Sequence, residues 1–131
     1  IAQKEAVSTH VLVAEDQESV RRLTRVILEG AGYRVLLASD GTEALSLAES
    51  HAGPIHLLLT DLVMPSMGGA ELAQLLRRAH PETRMLFMSG NTERSLDLMS
   101  PGAAFIQKPF SLEALRAMVR DVLDAPRIGK A

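Results

Sequence analysis

Leu57-Leu58-Leu59-Thr60-Asp61-Leu62-Val63-Met64-Pro65 is an apolar run that breaks off in a hydroxyl and a carboxylate, with a proline four residues beyond. A short run without polar alternation suits a strand buried on both faces, and such strands belong to parallel sheets covered by helices. With its approach, this strand reads as Ile55 to Thr60. Four similar runs occupy Val11 to Ala14, Arg34 to Ala38, Arg84 to Met88 and Ala103 to Gln107, and a segment of helical period follows each. Strict alternation of strand and helix predicts an α/β fold with one doubly wound parallel sheet.

The helical segments carry their own signals. Val20, Leu23 and Ile27 recur at i, i+3 and i+7, with Thr24 at the intervening place and Gly30 and Gly32 as a stop. Asp40, followed three residues on by Glu43, has the form of a capping box opening a helix through Ala48. Ala70 to Ala79 forms the third helix, with Leu72, Leu75 and Leu76 inward. Ser111 is the expected N-cap of the last, whose Leu112, Leu115, Val119 and Val122 make one stripe. Between Met88 and Ala103, Gly90, Pro101 and Gly102 confine any helix to Thr92 to Met99, about two turns, so the fourth helix is expected to be short or irregular. His51 and His80 fall just past helix ends, where a cation is favourable.

The chain of 131 residues suits a single domain, with residues 1–10 and 125–131 reading as a linker remnant and a C-terminal tail around a domain over 11–124. Ile1 in place of Met suggests a piece of a longer chain. Only 3% of residues are aromatic, which disfavours base stacking, and 14 basic against 16 acidic residues leave no electrostatic footprint for nucleic acid or membrane. With no cysteine, disulfides, thiolate nucleophiles and cysteine metal sites are excluded. No apolar stretch approaches the length of a membrane span, so a cytoplasmic domain is expected, compatible with a membrane-anchored parent chain.

In open α/β sheets ligands bind beyond the carboxyl ends of the strands. There the first run delivers Glu15 and Asp16, the third Asp61, the fourth Ser89 and the fifth Lys108. Taken singly, each has an ordinary reading as a cap, a turn residue or a solvated charge; their arrival from four strand ends is the signal. Two carboxylates about 4 Å apart at an effective dielectric of 20 repel by roughly 4 kcal/mol, so positive charge must share the site. Lys108 supplies one charge, and a hard divalent cation such as Mg²⁺ accounts for the rest. His10, His51, His56 and His80 share no metal-ligand spacing and read as structural or surface residues. The methionines read as core filler, with Met64 and Met67 possible parts of an adaptable docking surface.

Val11-Leu12-Val13-Ala14-Glu15-Asp16, the quoted Leu57 to Pro65 stretch, Met88-Ser89-Gly90 and Phe105-Ile106-Gln107-Lys108-Pro109-Phe110 together resemble the signature blocks of response-regulator receiver domains over Val11 to about Asp124. The wording around Gly53-Pro54-Ile55 and Met88-Ser89-Gly90 is most similar to receivers of hybrid sensor histidine kinases. The resemblance implies a five-stranded sheet in the flavodoxin-like order 2-1-3-4-5, an order already described for this family. It further implies Asp61 as phosphoacceptor, and Mg²⁺ held by Glu15, Asp16, Asp61 and the Val63 backbone carbonyl. Lys108 and Ser89 would contact phosphoryl oxygens, and Ser89 with Phe105 would form a switch. The implied donor is a histidine kinase or histidine phosphotransfer domain. An X-Pro bond at Lys108-Pro109 would be cis, as it is in that family.

Three departures qualify these expectations. Glu15 stands where many receivers have Asp, Phe105 replaces a Tyr that could reward an exposed rotamer, and the short segment over Thr92 to Met99 argues against the usual dimer. Three other functions compete. An aspartyl-phosphate phosphatase needs a second acid two residues after its nucleophile, where Val63 stands. A flavodoxin-type binder would find Glu15-Asp16-Gln17-Glu18 repelling its phosphate. A receiver-shaped docking module that is never phosphorylated is the third alternative. Whether the chain counts as an enzyme is left open, since such a domain catalyses only its own phosphorylation and dephosphorylation.

Overall fold

The computed structural model describes residues 8–90 and 103–126. Five parallel strands, β1 (His10–Ala14), β2 (Arg34–Ala38), β3 (Leu57–Asp61), β4 (Arg84–Ser89) and β5 (Ala104–Gln107), form one sheet in the order β2-β1-β3-β4-β5. Four described helices, α1 (Glu18–Gly30), α2 (Gly41–Ser50), α3 (Gly69–Ala79) and α4 (Leu112–Asp124), cover it. The short helix expected over Thr92 to Met99 lies outside the described residues. β3 is buried along its whole length, as its apolar run demanded, and it starts at Leu57 rather than Ile55.

Alternation along the strands splits the core between the two sheet faces. Leu12, Ala14, Leu58 and Phe87 pack with Ala44, Ala48, Leu72 and Leu76 of α2 and α3. Val11, Val13, Leu59, Leu86 and Met88 pack with Ile27, Leu28, Leu115 and Val119 of α1 and α4. Two bonds tie α4 across this second layer: Arg116 Nε donates to the Ile27 carbonyl at 3.1 Å, and Arg84 Nη1 to the Val122 carbonyl at 2.9 Å.

Helix starts follow the sequence with one shift. Asp40 Oδ1 accepts from the Glu43 amide at 2.8 Å, yet Glu43 reaches back to the amide and hydroxyl of Ser39 rather than to Asp40. Ser111 Oγ accepts from the Ala114 amide at 3.0 Å.

Some inward positions differ from expectation. In α1 the buried face is Thr24, Ile27 and Leu28, while Leu23 is 51% exposed. Thr24 Oγ1 donates to the Val20 carbonyl at 2.7 Å, which hides its hydroxyl and lets a polar residue take the core position that turns Leu23 outward. Leu112 at the start of α4 is likewise exposed. Met64 is buried in the core, so it offers no docking surface, and Met67 packs against the same cluster. None of the described helices is long and apolar enough to cross a membrane.

Candidate functional site

Register aligns the carboxyl ends of the strands. Ala14 stands opposite Thr60, Asp61 opposite Met88, and Ser89 opposite Gln107, so Glu15, Asp61 and Lys108 leave the sheet on one rim. Backbone bonds continue the ladder into that rim: the Glu15 amide donates to the Ala38 carbonyl at 3.1 Å, the Leu62 amide to Met88 at 3.0 Å and the Lys108 amide to Ser89 at 2.8 Å. Asp61 therefore ends β3 itself, while Glu15 and Lys108 follow directly on β1 and β5 with their amides still bonded to the neighbouring strand.

Carboxylate oxygens of Glu15, Asp16 and Asp61 lie within 4.8 Å of one another. Glu15 is fully buried, Asp61 is 6% exposed and Asp16 faces solvent, so the cup opens on one side. Lys108 Nζ bridges the two buried acids, at 3.1 Å from Glu15 Oε1 and 3.1 Å from Asp61 Oδ2. Glu15 Oε2 also accepts from the Gln17 amide at 2.9 Å. The net result still raises the Glu15 pKa above 4.5: burial is the leading cause and the Asp61 charge adds to it, against the bonds from Gln17 and Lys108. Burial pulls the Lys108 pKa down, but its bonds to Glu15 and Asp61 outweigh that and lift it above 10.5. One ammonium among three carboxylates leaves the cup negative. All-oxygen donors, two of them held rigidly and one at the open side, suit a hard divalent ion that keeps part of its water shell.

The other expected residues take definite places. Ser89 is buried at the end of β4, on the sheet face that also carries Phe87 and Phe105, and Phe105 is only partly buried against that core. Val63, two residues past Asp61, turns its side chain out to 52% exposure. The Lys108–Pro109 peptide is cis, matching the expectation at this strand end.

Sequence reasoning missed three supports of the cup. Arg21 Nη1 donates to the Glu15 carbonyl at 2.8 Å and so braces the β1–α1 turn. Thr60 Oγ1 donates to the Asp61 carbonyl at 3.0 Å. Gly69, at the start of α3, lies so close to Asp61 that a Cβ there would collide with its carbonyl oxygen. The Gly68-Gly69 pair soon after Pro65 was a readable signal of close backbone approach. Beside the cup, Gln17, Val20, Leu23, Lys108, Pro109 and Phe110 line a groove of about 280 Å³.

A doubly wound sheet in this order, with an acidic cup and a bridging lysine at its carboxyl rim, defines the class of flavodoxin-like α/β domains with an aspartate-bearing rim site. Residues 11–120 match the response regulator receiver domain family, and the chain belongs to it. It is 37% identical over 120 residues to the sensor kinase CckA of Brucella abortus, covering 89% of this chain but only 13% of that protein. The response regulator receiver protein CpdR of the same organism is 35% identical over 118 residues, covering 88% of this chain and 97% of CpdR. Among solved structures, the receiver domain of the hybrid histidine kinase CckA superposes with a TM-score of 0.76 at 34% identity, over 88% of this chain and 99% of that one.

Proposed function

We propose that this receiver domain accepts a phosphoryl group on Asp61 from a phosphohistidine of a histidine kinase or histidine phosphotransfer domain. The observation that carries the reading is the Lys108 bridge: a cation holds Asp61 Oδ2 at 3.1 Å at the mouth of a cup that remains net negative. An Asp61 carboxylate oxygen attacks phosphorus in line, the phosphorus–nitrogen bond of the donor imidazole breaks, and that nitrogen keeps the electron pair and takes up a proton. Phosphoryl transfer is loose at its transition state, so positioning and charge neutralisation do most of the work. Glu15, Asp16, Asp61 and the Val63 carbonyl would hold Mg²⁺, which when bound neutralises charge on the transferring oxygens. Lys108, freed from part of its bridge, pairs with a phosphoryl oxygen, and the Ser89 hydroxyl donates to another. Movement of Ser89 toward the phosphoryl group draws on the face it shares with Phe105, and this is the proposed route of the conformational switch.

The groove lined by Leu23 and Phe110, with Val26 64% exposed further along α1, lies against Lys108 and gives the donor an apolar seat next to the acceptor. A phosphatase lacks its second acid at Val63. We place the domain in the cytoplasm, where a kinase donor would be found. The test is incubation with acetyl phosphate and Mg²⁺ followed by intact mass measurement. The parent gains the mass of one phosphoryl group only with Mg²⁺ present, and Asp61→Asn gains none. A parent that stays unmodified while folded would favour the unphosphorylated docking module.

A further inference from the structure

Three of the four histidines meet at the pole of the sheet opposite the carboxylate cup. His10 opens β1, His51 is the C-cap of α2 and His56 immediately precedes β3. The ring centroids of His10 and His51 are 4.6 Å apart at a 55° tilt, and those of His10 and His56 are 6.3 Å apart at 14°. His10 and His56 are bonded reciprocally. The His56 amide donates to the His10 carbonyl at 2.9 Å, and the His10 amide donates to Nδ1 of the His56 ring at 3.0 Å. Just before His56 the chain turns through Gly53, at φ 106°, and Pro54. The imidazole is the acceptor that the His10 amide finds.

That second bond exists only while His56 is neutral with its proton on Nε2, because a proton on Nδ1 sets one N–H against another. His10 Nδ1 and His51 Nε2 are buried without a hydrogen-bond partner, and the Ser8 backbone is the one contact that favours a proton on His10. The charged and titratable groups acting on His10 are His51 from α2, His56 from the approach to β3 and Arg34 from β2, each a cation or a group that becomes one on protonation. No carboxylate is among them. Arg84 at the start of β4 donates its amide to the His56 carbonyl at 3.0 Å and turns its guanidinium away to Val122. Among the described residues the group of three converging metal-donor atoms is the acidic cup, and the histidine cluster does not form one.

We infer that His10, His51 and His56 form an acid-released latch, which fastens the start of β1 to β3 and α2 while the three rings are neutral. The latch sits on the strand that delivers Glu15 and Asp16 at its other end, so it ties proton concentration to the anchoring of the strand that supplies two of the cup's carboxylates. Burial first, then the neighbouring histidines, hold the His10 pKa below 6.5, with a backbone bond at Ser8 opposing them. A depressed histidine pKa contributes stability that is complete above 6.5 and is lost as pH falls from there through the folded value.

Amide hydrogen exchange followed residue by residue by NMR on the full chain, at about pH 7.5 and about pH 5.5 and corrected for intrinsic rates, tests the latch. The His10 and His56 amides should lose protection by about tenfold or more relative to Val13 and Leu59. His56→Asn places an amide oxygen where Nδ1 stood, an acceptor that does not titrate, and should shrink that loss. Equal relative protection at both pH values in the parent overturns the latch, as does an undiminished loss in His56→Asn. The parent measurement decides the matter even where the variant fails to fold.

Discussion

At the scale of single residues, the proposed magnesium site would be a compromise between stability and binding. The raised Glu15 pKa means that its ionised form, buried and facing Asp61, is held at a cost in the metal-free protein. Glu15→Gln should therefore raise the metal-free melting temperature by a few degrees while weakening Mg²⁺ binding, both read from thermal melts across a magnesium series. Lys108 acts in the opposite sense. Lys108→Met leaves two buried acids without their cation and should lower metal-free stability by about 3 kcal/mol in urea unfolding, with Mg²⁺ restoring much of the loss. Because the Lys108 pKa is raised, the stability it contributes is complete below 10.5 and is lost as pH climbs through its folded value. The Lys108→Met variant should lack that alkaline loss.

At the scale of elements, β3 was legible because an apolar run ending in Thr60-Asp61 has few other physical readings, and all five strands fall within two residues of their expected bounds. The α1 stripe was less legible: a hydroxyl that bonds its own helix backbone is sequence-silent, and it exchanged Leu23 for Thr24 on the buried face. That exchange puts apolar surface beside Lys108. Leu23→Asp and Val26→Asp, on exposed positions, should change stability by no more than about 0.5 kcal/mol. Their rate of phosphoryl uptake from a phosphohistidine donor should fall about tenfold relative to uptake from acetyl phosphate, and an unchanged ratio would remove the groove from the docking proposal. Gly69 tests the support under Asp61. Gly69→Ala forces the start of α3 away from Asp61 and should slow phosphorylation with both donors alike.

At the scale of the whole molecule, the parallel sheet separates two chemistries along one axis. The carboxyl rim gathers Glu15, Asp16, Asp61 and Lys108, all legible from the strand ends because strand direction in a parallel sheet delivers every carboxyl end to the same side. The amino rim gathers His10, His51 and His56, which were illegible in advance because they come from a strand, a helix end and a loop with no shared spacing. β1 and β3 run from one rim to the other and connect them. The reading of the carboxyl rim rests on one atom becoming the acceptor, and chemical trapping addresses that atom directly. An aspartyl acyl phosphate is reduced by borohydride to homoserine, so protein incubated with acetyl phosphate and Mg²⁺, reduced and mapped by peptide mass spectrometry, should carry homoserine at position 61. 5-Hydroxynorvaline at position 15 or homoserine at position 16 instead, or no reduced residue in protein shown to be folded and magnesium-bound, would contradict the assignment.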